Sequence, residues 1–195
     1  MIFRRLTVSD EAEALAAHLK MEESDQFGFL LGYQPGEAWG SFVSRLDANE
    51  RGKELTGEWM IPSTFLVAEI SGKIAGRVSI RHSLNEYLAS VGGHIGYCVL
   101  PDFRRQGLAT ALLKHGIEVA HLNGVEEVLI TCAEGNIGSQ KVIESNGFIF
   151  EKFIDDADSM TTYRRYWLTG DLGAERFSFG DYHSQTKKDV AKNIE

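Results

Sequence analysis

The first third of the chain contains three apolar patterns, which predict one short strand and two helices. Residues 2–8 predict the strand, and Ser9 or Asp10 can cap the helix that follows. One face of this helix carries three apolar residues, Leu15, Ala16 and Leu19. The second helix is predicted from four apolar residues at helical spacing, Trp39, Phe42, Val43 and Leu46. Residues 52–62 are predicted to form a loop.

After residue 62 the pattern changes to short apolar runs that are separated by turns or by amphipathic segments. These runs predict six further strands, at residues 64–70, 74–80, 94–100, 127–132, 148–154 and 161–168. Residues 71–73 predict a hairpin turn between the first two of these strands, and residues 81–91 predict a polar loop. We expect the last two strands to be antiparallel.

Two amphipathic segments between these strands predict helices. In residues 107–122 the apolar positions form one continuous face, Ala109, Leu112, Leu113, Gly116, Ile117 and Ala120. A shorter helix is predicted at residues 136–145. The order β-α-α-β-β-β-α-β-α-β-β predicts an α+β domain over residues 1–168, in which helices pack on a mixed sheet. Residues 169–195 are rich in glycine and polar residues, and we expect them to form a tail or an appended element.

Composition narrows the range of functions. The 195 residues are enough for one domain, and 20 Lys and Arg against 28 Asp and Glu give a formal net charge of −8. This acidic balance argues against a general nucleic-acid-binding protein. Cys98 and Cys132 are too few for a disulfide scaffold or a zinc site, and we expect both to be buried, reduced thiols. No segment approaches the ~18 apolar residues of a membrane span and no signal-peptide pattern is seen, so we expect a cytoplasmic protein without membrane contact.

The residues around Gly107 have the pattern of a phosphate-binding helix start. A predicted strand ends at Leu100, Arg104 and Arg105 follow, and the helix begins at Gly107. The first N–H groups of a helix lack internal partners and, together with the helix dipole, favour an anion. Gly107 and Ala109 leave the backbone accessible to a phosphate. The pattern is neither a nucleotide-triphosphate loop nor a dinucleotide fingerprint, and its alternative is an ordinary helix start.

Two motifs together make the chain resemble the GNAT superfamily, the Gcn5-related N-acetyltransferases. Residues 104–109, Arg-Arg-Gln-Gly-Leu-Ala, are similar to the acetyl-CoA signature of the superfamily, Gln/Arg-x-x-Gly-x-Gly/Ala. Residues 136–148 are similar to its second motif, an Asn-x-x-Ala/Ser helix that runs to Gly-Phe, and the serine form resembles the RimJ/RimL-type branch. Residues 81–97 resemble a bacterial set of predicted acetyltransferases whose substrates are unassigned.

The resemblance extends over residues 2–168 and implies a GNAT fold. This α+β fold has a central, twisted, mostly antiparallel sheet of six to seven strands that is flanked by helices. Strands four and five splay apart to admit the pantetheine arm of the cofactor. The resemblance implies acetyl-CoA as the acyl donor and no metal.

The resemblance also implies which residues hold acetyl-CoA. The pyrophosphate would bind beside Arg104, on the backbone amides of Arg105, Gln106, Gly107, Leu108, Ala109 and Thr110. The pantetheine arm would pair with the exposed backbone of three strand residues, Cys98, Val99 and Leu100. The N–H of Val99 would polarise the thioester carbonyl. Asn136 would reach the pantetheine, and Ser139 would lie near the sulfur.

Acetyl transfer to an amine needs a group that accepts the amine proton. Glu86 is a candidate because its loop precedes the fourth strand, where a carboxylate could reach the acetyl end. His94 is a second candidate because histidines titrate in a suitable range. Strict alternation places His94 on the face opposite Tyr97 and Val99, and a β-bulge in this strand would reverse that. His82 is a third candidate, and a water chain is an alternative to all three.

The departing thiolate needs a proton or a hydrogen bond, and many relatives supply it from a tyrosine seven residues after the motif asparagine. Ile143 occupies that position here. Ser139 is therefore the first candidate for this role, and Tyr97 is the second.

We expect an acetyl-CoA-dependent N-acetyltransferase that acts on a primary amine of a small molecule or of a peptide or protein N-terminus. The amine would attack the thioester directly in a ternary complex. One alternative is a non-catalytic acyl-CoA sensor, and another is an acyltransferase that uses a longer acyl-CoA. The acceptor pocket is expected near the first two helices and residues 81–91, with five aromatic candidates for its lining, Phe27, Phe29, Tyr33, Trp39 and Trp59. A homodimer is compatible with the resemblance.

Overall fold

A computed structural model describes residues 1–53 and 61–169, and these contain seven strands and five α-helices. The strands are β1 Ile2–Arg4, β2 Ser63–Ile70, β3 Lys73–Arg81, β4 Ile95–Val99, β5 Val128–Ala133, β6 Ile149–Asp156 and β7 Thr161–Leu168. The helices are α1 Glu11–Asp25, α2 Trp39–Glu50, α3 Glu86–Ser90, α4 Leu108–Leu122 and α5 Ile137–Ser145. Most of the predicted loop at 52–62, and the predicted tail beyond Thr169, lie outside the described residues, so the domain boundary stays a prediction.

The strands form two sheets that separate between β4 and β5. The strand order is β1-β2-β3-β4 in the first sheet and β5-β7-β6 in the second. Neighbouring strands within both sheets are antiparallel. Among the described residues, one isolated bridge, between Gly93 and Ile130, joins the two sheets. The predicted splay between the fourth and fifth strands is confirmed, and so is the antiparallel pairing of the last two strands.

Helix α4 packs on both sheets through the face that the sequence predicts. The predicted residues that are buried are Leu112, Leu113, Gly116, Ile117 and Ala120. Gly116 allows a close approach, because a Cβ there would lie 3.1 Å from the side chains of Val78 and Ile95. The same core receives residues from β5, α5 and β7, among them Ile130, Ile143 and Tyr166. Helix α4 therefore bridges the two sheets beneath the place where they separate.

Helix α2 packs on the opposite face of the first sheet, as its apolar spacing predicts. Trp39 and Phe42 are buried there, with Val43 and Leu46 packed against the same cluster. The ring of Tyr33, from the segment between α1 and α2, lies 5.2 Å from the ring of Phe42. Aromatic packing thus fixes the segment that connects α1 to α2.

The predicted face of helix α1 is wrong for two of its three residues, since Ala16 and Leu19 are exposed and Leu15 packs against the core. The helix buries Ala14, Ala17 and Met21, whereas Leu19 is 60% exposed. The helix is rotated so that a Glu13 carboxylate oxygen accepts the Ile74 N–H at 2.7 Å. Small alanines then face the sheet. This orientation of the helix depends on β3, which is far away in the sequence.

Two predicted boundaries also need correction. Strand β1 ends at Arg4 instead of residue 8, because the Thr7 N–H donates to the Asp10 carboxylate at 2.7 Å and starts a 3-10 turn. The predicted polar loop at 81–91 contains α3, which Asn85 caps by accepting the Leu88 N–H at 2.9 Å. The segment that leads into β4 is therefore an ordered helix.

Candidate active site

The loop between β4 and α4 exposes the start of the helix. Arg105 and Gly107 have left-handed backbone conformations, with φ of 58° and 77°. A Cβ at Gly107 would meet no other atom within 4 Å, so the space in front of this residue is open. The first helical bond runs from the Ala111 N–H to the Gly107 carbonyl at 3.1 Å. The N–H groups of the three residues between them therefore have no helical partner and can bind an anion.

Arg104 does not point at this helix start. Its Nε donates to the Val99 carbonyl at 3.1 Å, and its Nη2 forms an ion pair with Asp25 at the end of α1. The hydrogen bond from Arg104 lowers the pKa of the Asp25 carboxyl. Arg105 is exposed, and no carboxylate in the described ranges forms an ion pair with it. The helix start thus has one available guanidinium where the sequence predicts two, and Arg104 ties the loop to β4 and α1.

Strand β4 presents one edge to the gap between the sheets. Its pairing with β3 is regular along its whole length, and Leu100 continues it by donating its N–H to the Ala75 carbonyl at 2.9 Å. Because N–H directions alternate along an antiparallel strand, the N–H groups of Tyr97 and Val99 point away from β3. The side chains of Cys98 and Leu100 are buried against the α1–α2 core. The backbone is therefore the part of this strand that a ligand can reach from the gap.

His94 joins the two sheets at the opposite end of β4. Its backbone N–H donates to the Leu129 carbonyl at 2.7 Å, and its Nδ1 accepts the Leu129 N–H at 3.0 Å. The bulge that would turn His94 toward the reaction centre is absent from β4. Burial, with the nearby charge of Arg81, lowers the pKa of His94 to about 4. His94 is five residues from Val99 in the sequence, or about 17 Å along a strand, so the structure makes it a contact between sheets.

Two hydroxyl groups and a thiol lie close together beside the gap, where α5 begins. The Tyr97 hydroxyl is buried and makes no regular hydrogen bond. Burial raises the pKa of Tyr97 to about 12, against the opposing effect of the Ser139 hydroxyl nearby. Cys132 on β5 is a free, buried thiol whose pKa burial raises to about 11, so the prediction for this cysteine is confirmed. Asn136 caps α5 by accepting the Ser139 N–H at 3.0 Å.

The other two candidate bases lie elsewhere. Glu86 is the exposed first residue of α3, and it forms no hydrogen bond or ion pair with Tyr97 or Ser139 in the described part of the chain. His82 is hydrogen-bonded through Nε2 to the Thr64 hydroxyl at 2.9 Å, and burial lowers its pKa. None of the three candidate bases, Glu86, His82 and His94, therefore lies at the open edge of β4.

A row of buried polar residues on β3 was missed by the sequence analysis. Arg77 and Ser79 are buried, and they face the α1–α2 side while Val78 and Ile80 face α4. The sequence could have indicated this row, because alternation along a strand places polar residues at every second position on one face. This row underlies β4 at Gly96, next to Tyr97.

The described helices include none that is long and apolar enough to cross a membrane. Nor do the described residues contain a group of three or more His, Cys, Asp or Glu side chains placed to hold a metal ion.

Solved structures share this fold. RimJ from Mycobacterium smegmatis, solved in complex with CoA-disulfide, superposes with a TM-score of 0.62 at 20% identity, over 86% of this chain and 81% of its own. RimL, a ribosomal α-N-protein acetyltransferase solved with coenzyme A in a disulfide with one of its cysteines, superposes with a TM-score of 0.64 at 17% identity. That match covers 88% of this chain and 94% of RimL. At these identities the likeness shows the fold.

Sequence comparison defines the family. The acetyltransferase (GNAT) family pattern matches residues 28–148, which is more than half of the chain. The protein belongs to this family. GCN5-related N-acetyltransferase 6, chloroplastic, of Arabidopsis thaliana is 34% identical over 67 residues, or 34% of this chain. The match spans 23% of that relative's length.

Proposed function

We propose that the protein transfers an acetyl group from acetyl-CoA to a primary amine. The observation that carries this proposal is the open edge of β4 directly beside the exposed start of α4. The pyrophosphate would bind the N–H groups that follow Gly107, and Arg105 would add positive charge. The pantetheine arm would extend along β4, where the Val99 N–H would stabilise the oxyanion that forms from the thioester carbonyl. The presence of coenzyme A in the RimJ and RimL structures supports this cofactor.

The sulfur of the cofactor would lie beside Tyr97, Ser139 and Cys132. The disulfide between coenzyme A and a cysteine in RimL supports a position next to a thiol. Tyr97, with a pKa of about 12, is too weak an acid to give its proton to a thiolate, whose ordinary pKa is about 8.5; that transfer is uphill by about 5 kcal/mol. We therefore assign the Tyr97 and Ser139 hydroxyls as hydrogen-bond donors to the leaving sulfur.

The acceptor amine has no described side chain positioned to remove its proton. His94 has a pKa of about 4 and lies at the far end of β4, and Glu86 is exposed on α3. We therefore propose that water takes the proton. This arrangement favours an α-amino group, whose deprotonation at pH 7 costs about 1.4 kcal/mol, over a lysine side chain, for which it costs about 4.6 kcal/mol.

Because none of the described side chains is a positioned base, a second candidate function is an acyl-CoA sensor. A thiol-release assay with α-amino and lysine-type acceptors separates the two candidates. Robust release with any amine eliminates the sensor, whereas tight binding of acetyl-CoA without release from any amine supports it. Acetyl-, propionyl- and succinyl-CoA in the same assay decide between acetyl transfer and the use of a longer acyl group.

Two matched glycine variants test the cofactor site. Gly107→Ala and Gly124→Ala each place a Cβ at positive φ, 77° and 82°, where no other atom lies within 4 Å. Both should lose about 1–2 kcal/mol of stability. The Cβ at position 107 would also occupy the space of the pyrophosphate. We expect Gly107→Ala to bind acetyl-CoA at least about tenfold more weakly by calorimetry and Gly124→Ala to bind it normally; equal affinities would contradict the site.

A further inference from the structure

Arg77 on β3 carries a buried guanidinium without an anionic partner. The residue is 1% exposed. Its Nη1 donates to the Ser79 hydroxyl and to the Gly96 carbonyl, both at 3.2 Å, and its Nη2 donates to the Gly28 carbonyl at 3.4 Å. Its Nε has no partner. All three acceptors are neutral and the bonds are long, although an unpaired buried charge is strongly destabilising.

No acidic group in the described ranges neutralises this charge. Asp25 is engaged by Arg104. Cys98 stands opposite Arg77 in the register of β3 and β4, but burial raises the pKa of its thiol despite the opposing effect of Arg77. Arg81 lies on the same face of β3 and donates to the Gly93 carbonyl at 2.8 Å. This face of the sheet therefore carries the buried Arg77 and the half-buried Arg81, and neither forms an ion pair with a described residue.

The side of the Arg77 guanidinium that Nε and Nη2 form has the geometry that suits a carboxylate. Nη1 is held by the sheet, whereas Nε and Nη2 form an edge that can donate two parallel hydrogen bonds to a carboxylate. Phe27 and Gly28, from the segment after α1, cover this edge. The Phe27 ring centroid lies 5.1 Å from the guanidinium carbon, and Phe27 is 41% exposed. This side of the guanidinium thus contacts a ring that is partly exposed and makes one long hydrogen bond.

Arg77 also lies next to the proposed reaction centre. Its guanidinium reaches across β4 to Gly96, the neighbour of Tyr97. A Cβ at Gly96 would lie 3.2 Å from the Ser79 hydroxyl oxygen and 3.6 Å from Nη1, so the guanidinium packs directly against this part of β4. A ligand bound to Arg77 from the α1 side would therefore have its other end close to the open edge of β4.

We infer that the acceptor amine carries a carboxylate, which Arg77 binds when Phe27 and Gly28 move aside. This inference rests on the proposed acetyl transfer and names its substrate class, amino acids and similar small amino-carboxylates. The carboxylate supplies the missing counter-charge, and the amine is held a few bonds away, where it can attack the thioester.

Matched acceptor pairs test the inference. Wild type and Arg77→Gln are assayed with amino acids and with the corresponding carboxamides, which lack the carboxylate. The difference in amine pKa cancels when the acid-to-amide ratio of kcat/KM is compared between proteins. We expect Arg77→Gln to lower this ratio about 10- to 100-fold while kcat/KM for the amides changes less than about threefold. Ser79→Ala, which removes a partner of Nη1 only, is the control and should keep the wild-type ratio.

The outcomes separate this inference from the proposed function. An acid-to-amide ratio that is equal in wild type and Arg77→Gln overturns the inference and leaves acetyl transfer intact. If Arg77→Gln does not fold, Phe27→Ala decides instead, because uncovering the cation should raise kcat/KM for acids and not for amides; an unchanged ratio overturns the inference. If no amine is acetylated, the proposed function fails, and thermal melting of both proteins in the presence of coenzyme A then tests the inference. Amino acids must then raise the Tm of wild type but not that of Arg77→Gln.

Discussion

Replacing His94 with alanine and with asparagine separates a structural contact from a catalytic base. Alanine removes the acceptor of the buried Leu129 N–H and the packing of an imidazole that is 8% exposed. An unsatisfied buried donor costs about 1–3 kcal/mol, and with the lost packing we expect a decrease of about 2–4 kcal/mol in the free energy of unfolding. For a chain of 195 residues this lowers Tm by about 5–10 °C. The asparagine Oδ1 can replace Nδ1 as the acceptor, so His94→Asn should stay within about 1 kcal/mol of wild type.

The pH dependence of stability gives a second, independent expectation for His94. Burial and Arg81 lower its pKa from 6.5 to about 4. Between these values the unfolded chain binds a proton that the folded chain does not. The contribution is complete above pH 6.5 and is lost as the pH falls toward 4. At pH 5 wild type should have lost about 2 kcal/mol through this group, and His94→Asn should lack that loss when urea denaturation is compared at pH 7 and pH 5.

Turnover decides between the two roles of His94. If it is a contact between sheets, His94→Asn should keep kcat within about threefold of wild type at pH 7, because the amide preserves the contact. If it is the base, asparagine should lower kcat about 100-fold or more although Tm is unchanged. The second pattern, together with a Tm for His94→Ala equal to that of wild type, would refute the structural reasoning.

Two further substitutions test the leaving-group site and the face of helix α1. Tyr97→Phe removes a buried hydroxyl that has no regular partner, so we expect an unchanged or slightly higher Tm, with kcat about tenfold lower at unchanged acetyl-CoA affinity; an unchanged kcat in steady-state assays would contradict the role. Leu19→Gln should change the free energy of unfolding by less than about 0.5 kcal/mol, because Leu19 is 60% exposed. Met21→Ala, at a residue that is 2% exposed, should cost about 2–4 kcal/mol in denaturant titrations, and the reverse order would support the face inferred from sequence.

Local patterns of apolar residues predicted those elements in which one face is buried along the whole length. Helix α4 touches both sheets along its length, so its apolar period coincides with its buried face. The helix start at Gly107 was also predictable, because a glycine that precedes an apolar helical pattern is a local feature of the sequence. The strands from β2 onward were found within a few residues, since turns and polar breaks bound them.

Features that depend on distant partners were not predictable in this way. The rotation of helix α1 is fixed by a hydrogen bond to Ile74 on β3. The sequence does not indicate this rotation, because the buried and exposed faces of the helix differ little in polarity. Arg104 stands in the cofactor motif, but Asp25, far away in the sequence, determines where its side chain points. A single sequence without such contacts assigns the guanidinium to the nearest anion site, whereas in the structure Arg104 is paired with Asp25.

The site follows from how the two sheets are held apart. They approach at Gly93, where a Cβ would collide with the Leu129 carbonyl, and His94 fixes this contact with two hydrogen bonds. Beyond it β4 and β5 diverge, so β4 becomes an inner edge whose N–H groups need partners. In the function that we propose, pantetheine amides would meet that need on the gap side. On the α1 side the same strand lies beneath Arg77, whose charge needs an anion. One strand thus has an unmet donor row and an adjacent unmet charge, which is why we place the acyl donor on its edge and a carboxylate-bearing acceptor on its face.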